Sequence, residues 1–411
     1  MNKTHCWPEG HWNWPVKVSH KHGVRCGEMA WVGGQVDMSP EGDVLNQGDL
    51  AVQTKNVVKN ISTVLQGLEC ELQDLVYLLC FYVNDGTRSE DAFLEMVAHA
   101  LPQGTKCAVN AIPVPALAYD GLEVEIEAYA MCGENGADKT RTYASAENTA
   151  PLPDKFCHAI RCGKMIFVSG QYPMDEKGNV QAPHDAVAQT RFEMENIKSL
   201  LAQFGASFGD VLKSNRWYAG NVGVEDFEPA ALECAKYYAE PGPTATGLPL
   251  PRHANEQVAI KLSCIAMLGE DGSHLPRRHV WPESLWDWTV HLPYKHGLKC
   301  ADMVFFGGQV SLDKNGVTIN PDDITKQTHQ AMAHIGTILN ALDADYDDMC
   351  KVGAFYFGGC GAAQLHANFP IRSSYFNDPG PATTGIPLPA LAYDGMVIEI
   401  DGFAMAKPDP T

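Results

Sequence analysis

Apolar residues recur at helical spacing through residues 49–69. Leu50, Val57, Ile61, Val64, Leu65 and Leu68 share one face, behind an Asp49 placed to cap the first turn. The pattern predicts an amphipathic helix. Next comes LVYLLCFYV (75–83), an unbroken apolar run rich in aromatic and β-branched residues, which predicts a buried strand. SEDAFLEMVAHAL (89–101) predicts a second helix, and MAWVGGQV (29–36) a strand ending in paired glycines before the polar turn region DMSPEGDVLNQG. Strands over 105–112 and 122–131 complete the set. The order strand, helix, strand, helix, strand, strand describes one sheet with helices on one face, an α+β unit.

The unit is written three times. PALAYDGLEVEIEAYAM (115–131) returns as PALAYDGMVIEIDGFAM (389–405), and the Trp-rich stretch 7–36 returns at 281–310. A weaker copy stands near the midpoint, at FCHAIRCGKMIFVSGQY (156–172). His22, His158 and His296 fall in register, as do Cys26, Cys162 and Cys300, and the pairs Gln53-Thr54, Gln189-Thr190 and Gln327-Thr328. A fixed period of this length marks a tandem architecture. The divisions are 1–132 for the first unit with a Trp-rich extension, 154–268 for a divergent second, and 279–411 for a third with its own Trp-rich extension. Residues 133–153 and 269–278 are polar, glycine-containing and aperiodic, and read as linkers.

Three units of ordinary domain size fit the length of 411 residues. The opening MNKTHCWPEGHW has no charged-then-apolar leader and no long apolar run appears, so the expectation is a cytoplasmic protein with no membrane partner. The 13 cysteines include no C-x-x-C pair and several lie in apolar runs, which favours buried reduced thiols. A net charge of −20 would repel phosphate backbones and argues against nucleic acid as a partner.

In LEVEIEAYA the side chains alternate, so Glu123, Glu125 and Glu127 share a face opposite Val124, Ile126 and Ala128. Adjacent carboxylates are costly in a dry core, and that face must meet solvent, a ligand cleft or a cationic partner. The third copy repeats it with Glu399 and Asp401, whereas the second places Lys261 and Ser263 there. If the copies pack about a pseudo-threefold axis, Lys261 lies among carboxylates of its neighbours. The three repeated histidines suit a packed, hydrogen-bonded role better than a metal centre, since each unit lacks local ligand spacing. Trp7, Trp12 and Trp14, echoed by Trp281, Trp286 and Trp288, either wall a cleft or fill the extension, and packing is the favoured reading.

The marks GGQV (33–36 and 307–310), SGQY (169–172), GPTAT (242–246), GPATT (380–384), VEIEA (124–128) and IEID (398–401), in common order, resemble the Rid family, the YjgF-like reactive-intermediate deaminases. The resemblance implies chorismate-mutase-like α+β domains fused into an intramolecular pseudo-trimer, with a central sheet barrel, helices outside and clefts between neighbours. Further self-association is left open. In deaminating members a last-strand glutamate positions water, and this maps to Glu125 and Glu399. Their carboxylate-binding arginine maps to Ala108, Thr244 and Ala382, so no copy has it there. The cleft tyrosine maps to His20, Phe156 and Tyr294, and the third copy offers Thr383 and Thr384 where the first has Val109 and Asn110. The implied site is therefore Glu125 and Glu399 as catalytic groups, with His20, Tyr294, Asn110, Thr383, Thr384, Gly33 and Gly307 binding a small-molecule substrate, and no metal or cofactor. The implied activity is hydrolysis of a small C=N or C–N substrate by carboxylate-positioned water, deaminase-like. A non-catalytic binding or sensing protein, or another hydrolase or lyase on the same scaffold, stays open. The second copy is expected to supply a degenerate cleft.

Overall fold

The computed structural model describes residues 2–133, 137, 139–147, 149–221 and 223–409. The first unit contains β1 (Lys3–Cys6), β2 (Gly23–Cys26), β3 (Met29–Gln35), α1 (Leu50–Gly67), β4 (Leu75–Val83), α2 (Glu90–Ala100), β5 (Ala108–Val114) and β6 (Val124–Met131). Its sheet runs β1-β2-β3-β6-β4-β5. Only β4 and β5 pair in parallel, because α2 carries the chain back across the sheet between them. The predicted elements are present, and Asp49 caps α1 by accepting the Val52 amide at 3.1 Å. The hairpin of β1 with β2 lies outside the predicted pattern, which began at β3.

The second unit repeats this with β7 (Arg141–Ala144), β8 (Ala159–Cys162), β9 (Met165–Gln171), α3 (Ala186–Gln203), β10 (Val211–Ala219), α4 (Val224–Ala235), β11 (Thr244–Leu250) and β12 (Ile260–Met267). The third has β13 (Arg277–Val280), β14 (Gly297–Cys300), β15 (Met303–Gln309), α5 (Ile324–Ala341), β16 (Met349–Phe357), α6 (Ala363–Ser373), β17 (Ala382–Leu388) and β18 (Ile398–Met405). All three sheets share one strand order. Segments read as linkers thus carry structure: β7 lies within 133–153 and pairs with β8, and β13 begins within 269–278 and pairs with β14. Short polar edge strands give little apolar alternation to read.

The repeated Gln-Thr pair has a structural purpose. Gln53 on α1 donates to Gly121 O at 2.8 Å and accepts from Glu123 N at 2.8 Å, clamping the loop that feeds β6. Gln189 does the same with Gln257 O and Ala259 N, and Gln327 with Gly395 O and Val397 N. One amide satisfies a backbone donor and a backbone acceptor that a buried turn would leave bare.

The helices lie outside, and the other sheet faces meet around a pseudo-threefold axis in a shared core. Phe81, Trp217 and Phe355, equivalent positions of β4, β10 and β16, bring their rings together there with centroids 5.6, 5.5 and 6.3 Å apart. The seams between units are equivalent too. At each, a strand entry of one unit meets the penultimate strand of the next, through the backbone bonds Lys21 N to Pro381 O, Lys295 N to Pro243 O and Cys157 N to Cys107 O. The ring therefore runs unit one to three to two and back to one.

Two expectations are refined. Cys70 and Cys132, whose Cα atoms are 6.3 Å apart, are brought together within the first unit as a pair placed to form a disulfide, and so are not isolated thiols. Lys261 does meet a neighbour's carboxylate, as expected, but the partner is Glu90 of α2 in the first unit and not a last-strand glutamate. Carboxylate partners come from an element whose placement the strand pattern does not fix.

Because the aromatic triad joins all three units, Trp217→Ala is expected to cost about 3–5 kcal/mol. Urea unfolding should lose midpoint in one shared transition; three separate transitions would contradict the common core.

Candidate active site

Glu125 and Glu399 occupy equivalent clefts at two of the seams. Glu125 projects from β6 into a cleft completed by unit three, lined by Trp12, Trp14, Tyr119, Phe369, Arg372 and Thr383. Glu399 projects from β18 into a cleft completed by unit two, where Arg216, Phe227, Trp286, Trp288, Tyr294 and Tyr393 are the corresponding walls. Each carboxylate lies over the second glycine of its GGQ motif: Glu125 Oε1 fills the space a Cβ on Gly34 would take, and Glu399 Oε1 does so at Gly308. The Gly385 and Gly247 main chains, across the seam, favour the charged form of Glu125 and Glu399 respectively.

Burial dominates the chemistry of both groups. It pushes Glu125 up to about 8, reinforced by Glu127 and opposed by Lys351. Glu399 is likewise pushed up to about 8 by burial and by Asp401, against Lys213 and Arg216. Both are therefore mainly neutral acids at pH 7, able to donate and then to accept a proton.

The remaining acidic positions of the strand go to the axis instead. Glu127 pairs with Lys351 at 2.8 Å and accepts from Thr384 at 2.6 Å; Asp401 pairs with Lys213 at 2.7 Å and accepts from Thr246 at 2.8 Å. Alternating residues on one face thus meet both a cleft and a cationic partner, the two destinations that the buried carboxylates required.

A guanidinium stands in each cleft, though neither comes from the penultimate strand. Arg372 reaches in from α6, donating to Asn368 Oδ1 at 2.8 Å and Thr383 Oγ1 at 3.1 Å, while its carbon lies 4.9 Å from the Phe369 ring centroid. Arg216 comes from β10, 4.6 Å from the Phe227 centroid. Arg372 is fully buried, and burial lowers it to about 10. Its Nη2, and Arg216 Nε, have no hydrogen-bond partner among the described residues. A buried guanidinium with open donors is costly, and an anion would satisfy it. The sequence offered a signal: an arginine within a buried strand, VLKSNRWYA, on the face opposite Lys213 and Asn215, and another in NFPIRSS. Tyr119 and Tyr393, within the repeated PALAYDG, were also missed as cleft walls.

Other expected residues are divided among the clefts. Tyr294 sits with Glu399, and Thr383 with Arg372 opposite Glu125, so the third copy does not assemble one site from its own residues. Thr384 serves Glu127, Lys351 and the Gly34 amide. His20 is buried behind the Glu125 cleft, bonded to Pro381 O and stacked 5.2 Å from Phe369. Asn110 faces the axial cavity and the third seam, donating to Ser263 at 3.3 Å. Gly33 and Gly307 let the strand backbone approach Thr383 and Ala245 of the adjoining unit, and it is Gly34 and Gly308 that line the clefts. The repeated histidines bond the carbonyls of Trp12, Ala150 and Trp286. Trp12 and Trp14, and their counterparts, both pack against these rings and wall the clefts, so the extension is not filler alone.

The third seam inverts the polarity. Lys261 replaces the glutamate, donates to Ala111 O at 2.8 Å, and forms an ion pair with Glu90. Where the other clefts hold a carboxyl, this one holds an ammonium and offers it a backbone carbonyl.

The model of the family described as endoribonuclease L-PSP matches residues 15–132, 148–266 and 289–406, and the chain belongs to that family. Within it, a RutC family protein of Pyrococcus horikoshii is 31% identical over 118 residues, 28% of this chain and 90% of that protein. The Escherichia coli 2-iminobutanoate/2-iminopropanoate deaminase is 30% identical over 95 residues, 23% of this chain and 69% of that enzyme. A chorismatase crystal structure shares the fold at TM-score 0.52 and 12% identity, covering 81% of this chain and 93% of that one. Among the described residues no helix is long and apolar enough to cross a membrane.

The raised carboxyls set a pH dependence of stability. Folded Glu125 and Glu399 keep their protons to about 8, whereas unfolded glutamates release them near 4.5, so their contribution is fully present below 4.5 and is lost as pH rises to about 8. The Glu125→Gln, Glu399→Gln double variant should therefore gain Tm relative to wild type between about pH 5 and pH 8. A Tm difference that stays flat across that range would show the carboxyls to be ordinary.

Proposed function

We propose that the Glu125 and Glu399 clefts hydrolyse the C=N bond of a small imine bearing an anionic group. The observation that carries this reading is the pairing, in both clefts, of a neutral buried carboxyl with a guanidinium that has donors to spare. The guanidinium holds the substrate anion, in the manner a 2-imino acid's carboxylate would require. The carboxyl gives its proton to the imine nitrogen as water's oxygen bonds to carbon, and takes a proton from that water. The resulting carbinolamine breaks its C–N bond, the nitrogen leaving as ammonia and the carbon becoming a carbonyl. No net redox change occurs: one imine and one water give one carbonyl compound and one ammonia. Relatives named as imine and aminoacrylate deaminases support the reaction class.

The free space within these clefts is about 30 and 40 Å3, room for little more than one water. Substrate entry therefore requires the cleft walls to move apart.

The test is ammonia release from 2-iminobutanoate generated in situ. Single Glu125→Gln or Glu399→Gln variants should lose about half the activity and the double variant at least about 100-fold. Arg372→Met with Arg216→Met should raise KM for anionic imines more than for an uncharged one. Full activity in the double glutamine variant overturns the assignment. A wild-type chain that binds 2-oxobutanoate yet releases no ammonia supports a non-catalytic binding protein instead.

A further inference from the structure

The cleft between units one and two has a volume of about 530 Å3, far larger than the two arginine clefts, and its size has an identifiable origin. In the first and third units a histidine ring nitrogen bonds the carbonyl of Trp12 or Trp286, and that residue's indole N–H donates to Gln35 Oε1 at 3.0 Å or Gln309 Oε1 at 3.2 Å. In the second unit His158 bonds the carbonyl of Ala150 at 3.2 Å. The backbone takes the same post, but the side chain there is a methyl group. Gln171, the counterpart of Gln35 and Gln309, still donates to Ser169 O at 2.9 Å, and its buried Oε1 has no donor among the described residues. Ala150, His158 and Gln171 all line the cavity.

We propose that this cleft is a binding site for a planar heteroaromatic molecule carrying a ring N–H, which takes the place of the missing indole and donates to Gln171. Leu94, Pro151, Leu152 and Met174 provide apolar surface, and Tyr172 an aromatic wall. Lys261 does not line the cavity; it lies beneath Tyr172, 5.1 Å from the ring centroid, and neutralises Glu90. With Glu90 neutralised by Lys261, the other charged lining residues, Arg88 and Arg252 against Asp91 and Glu256, also balance in number, which favours an uncharged ligand over an anion. Glu90 Oε2 and both nitrogens of His253, likewise without partners among the described residues, add hydrogen-bonding capacity for ring substituents. Burial lowers His253 to about 3, so it stays neutral at working pH. The site does not depend on the deaminase reading.

Indole is the probe, titrated into the full chain by calorimetry, with 1-methylindole as the control that has the same shape and no N–H. Wild type should bind one indole. Ala150→Trp, which restores the side chain found in the other two units, should abolish binding and raise Tm. Gln171→Leu should weaken indole by about 10-fold while leaving 1-methylindole nearly unchanged. The leucine variant keeps the test decisive if the tryptophan variant fails to fold. No detectable indole binding to wild type, unaltered binding in Ala150→Trp, or equal loss of both probes in Gln171→Leu overturns the proposal.

Discussion

The seam between units is the constraint on which the rest of this molecule depends. At Gly33 and Gly307 a strand backbone comes so close to the neighbour's penultimate strand that any side chain would meet Thr383 or Ala245 main-chain atoms. The approach carries the next residue pair with it. Gly34 and Gly308 leave space for a carboxylate, in a cleft that the neighbour's Gly385 or Gly247 helps to line. A glutamate of one unit is thus buried by another, and its raised proton affinity belongs to the ring rather than to any single unit. The second unit meets the same seam differently: Ser169 stands where the others have glycine, and its hydroxyl accepts from Val109 N at 2.8 Å.

Fusion of three units frees each seam to diverge. In a symmetric trimer one substitution would alter all the clefts at once. Here two seams keep a last-strand carboxyl beside a guanidinium, while the third puts Lys261 in the glutamate's place, pairs it with Glu90, and is lined by Arg88 and Arg252. The two guanidinium groups come from different elements, α6 and β10, yet enter equivalent spaces, which shows that the cleft's geometry is fixed by the fold and its chemistry by whichever side chain reaches it. The axis diverges in parallel: Lys351 with Glu127 and Lys213 with Asp401 are matched across two interfaces, while Tyr77, Asn110 and Ser263 meet at the third.

Much of this was legible because local periodicity and tandem register are properties of the chain. The helix from Leu50, the strand at 75–83 and the face shared by Glu125 and Glu127 follow from spacing alone, and the triple repeat fixes the number of units. The resemblance then located Glu125 and Glu399 at equivalent places, but it sought the arginine at one strand position and so passed over Arg372 and Arg216.

What only tertiary structure decided is which unit's residues meet which. Thr383 and Tyr294 lie in one copy and serve different clefts, because each seam joins β3, β15 or β9 of one unit to the penultimate strand of the next. The fate of alternate carboxylates, cleft or axis, and the size of the third cleft were decided in the same way. A repeat in sequence states what each unit contains; the rotation that packs one unit against another determines the distances on which burial, proton affinity and open volume depend.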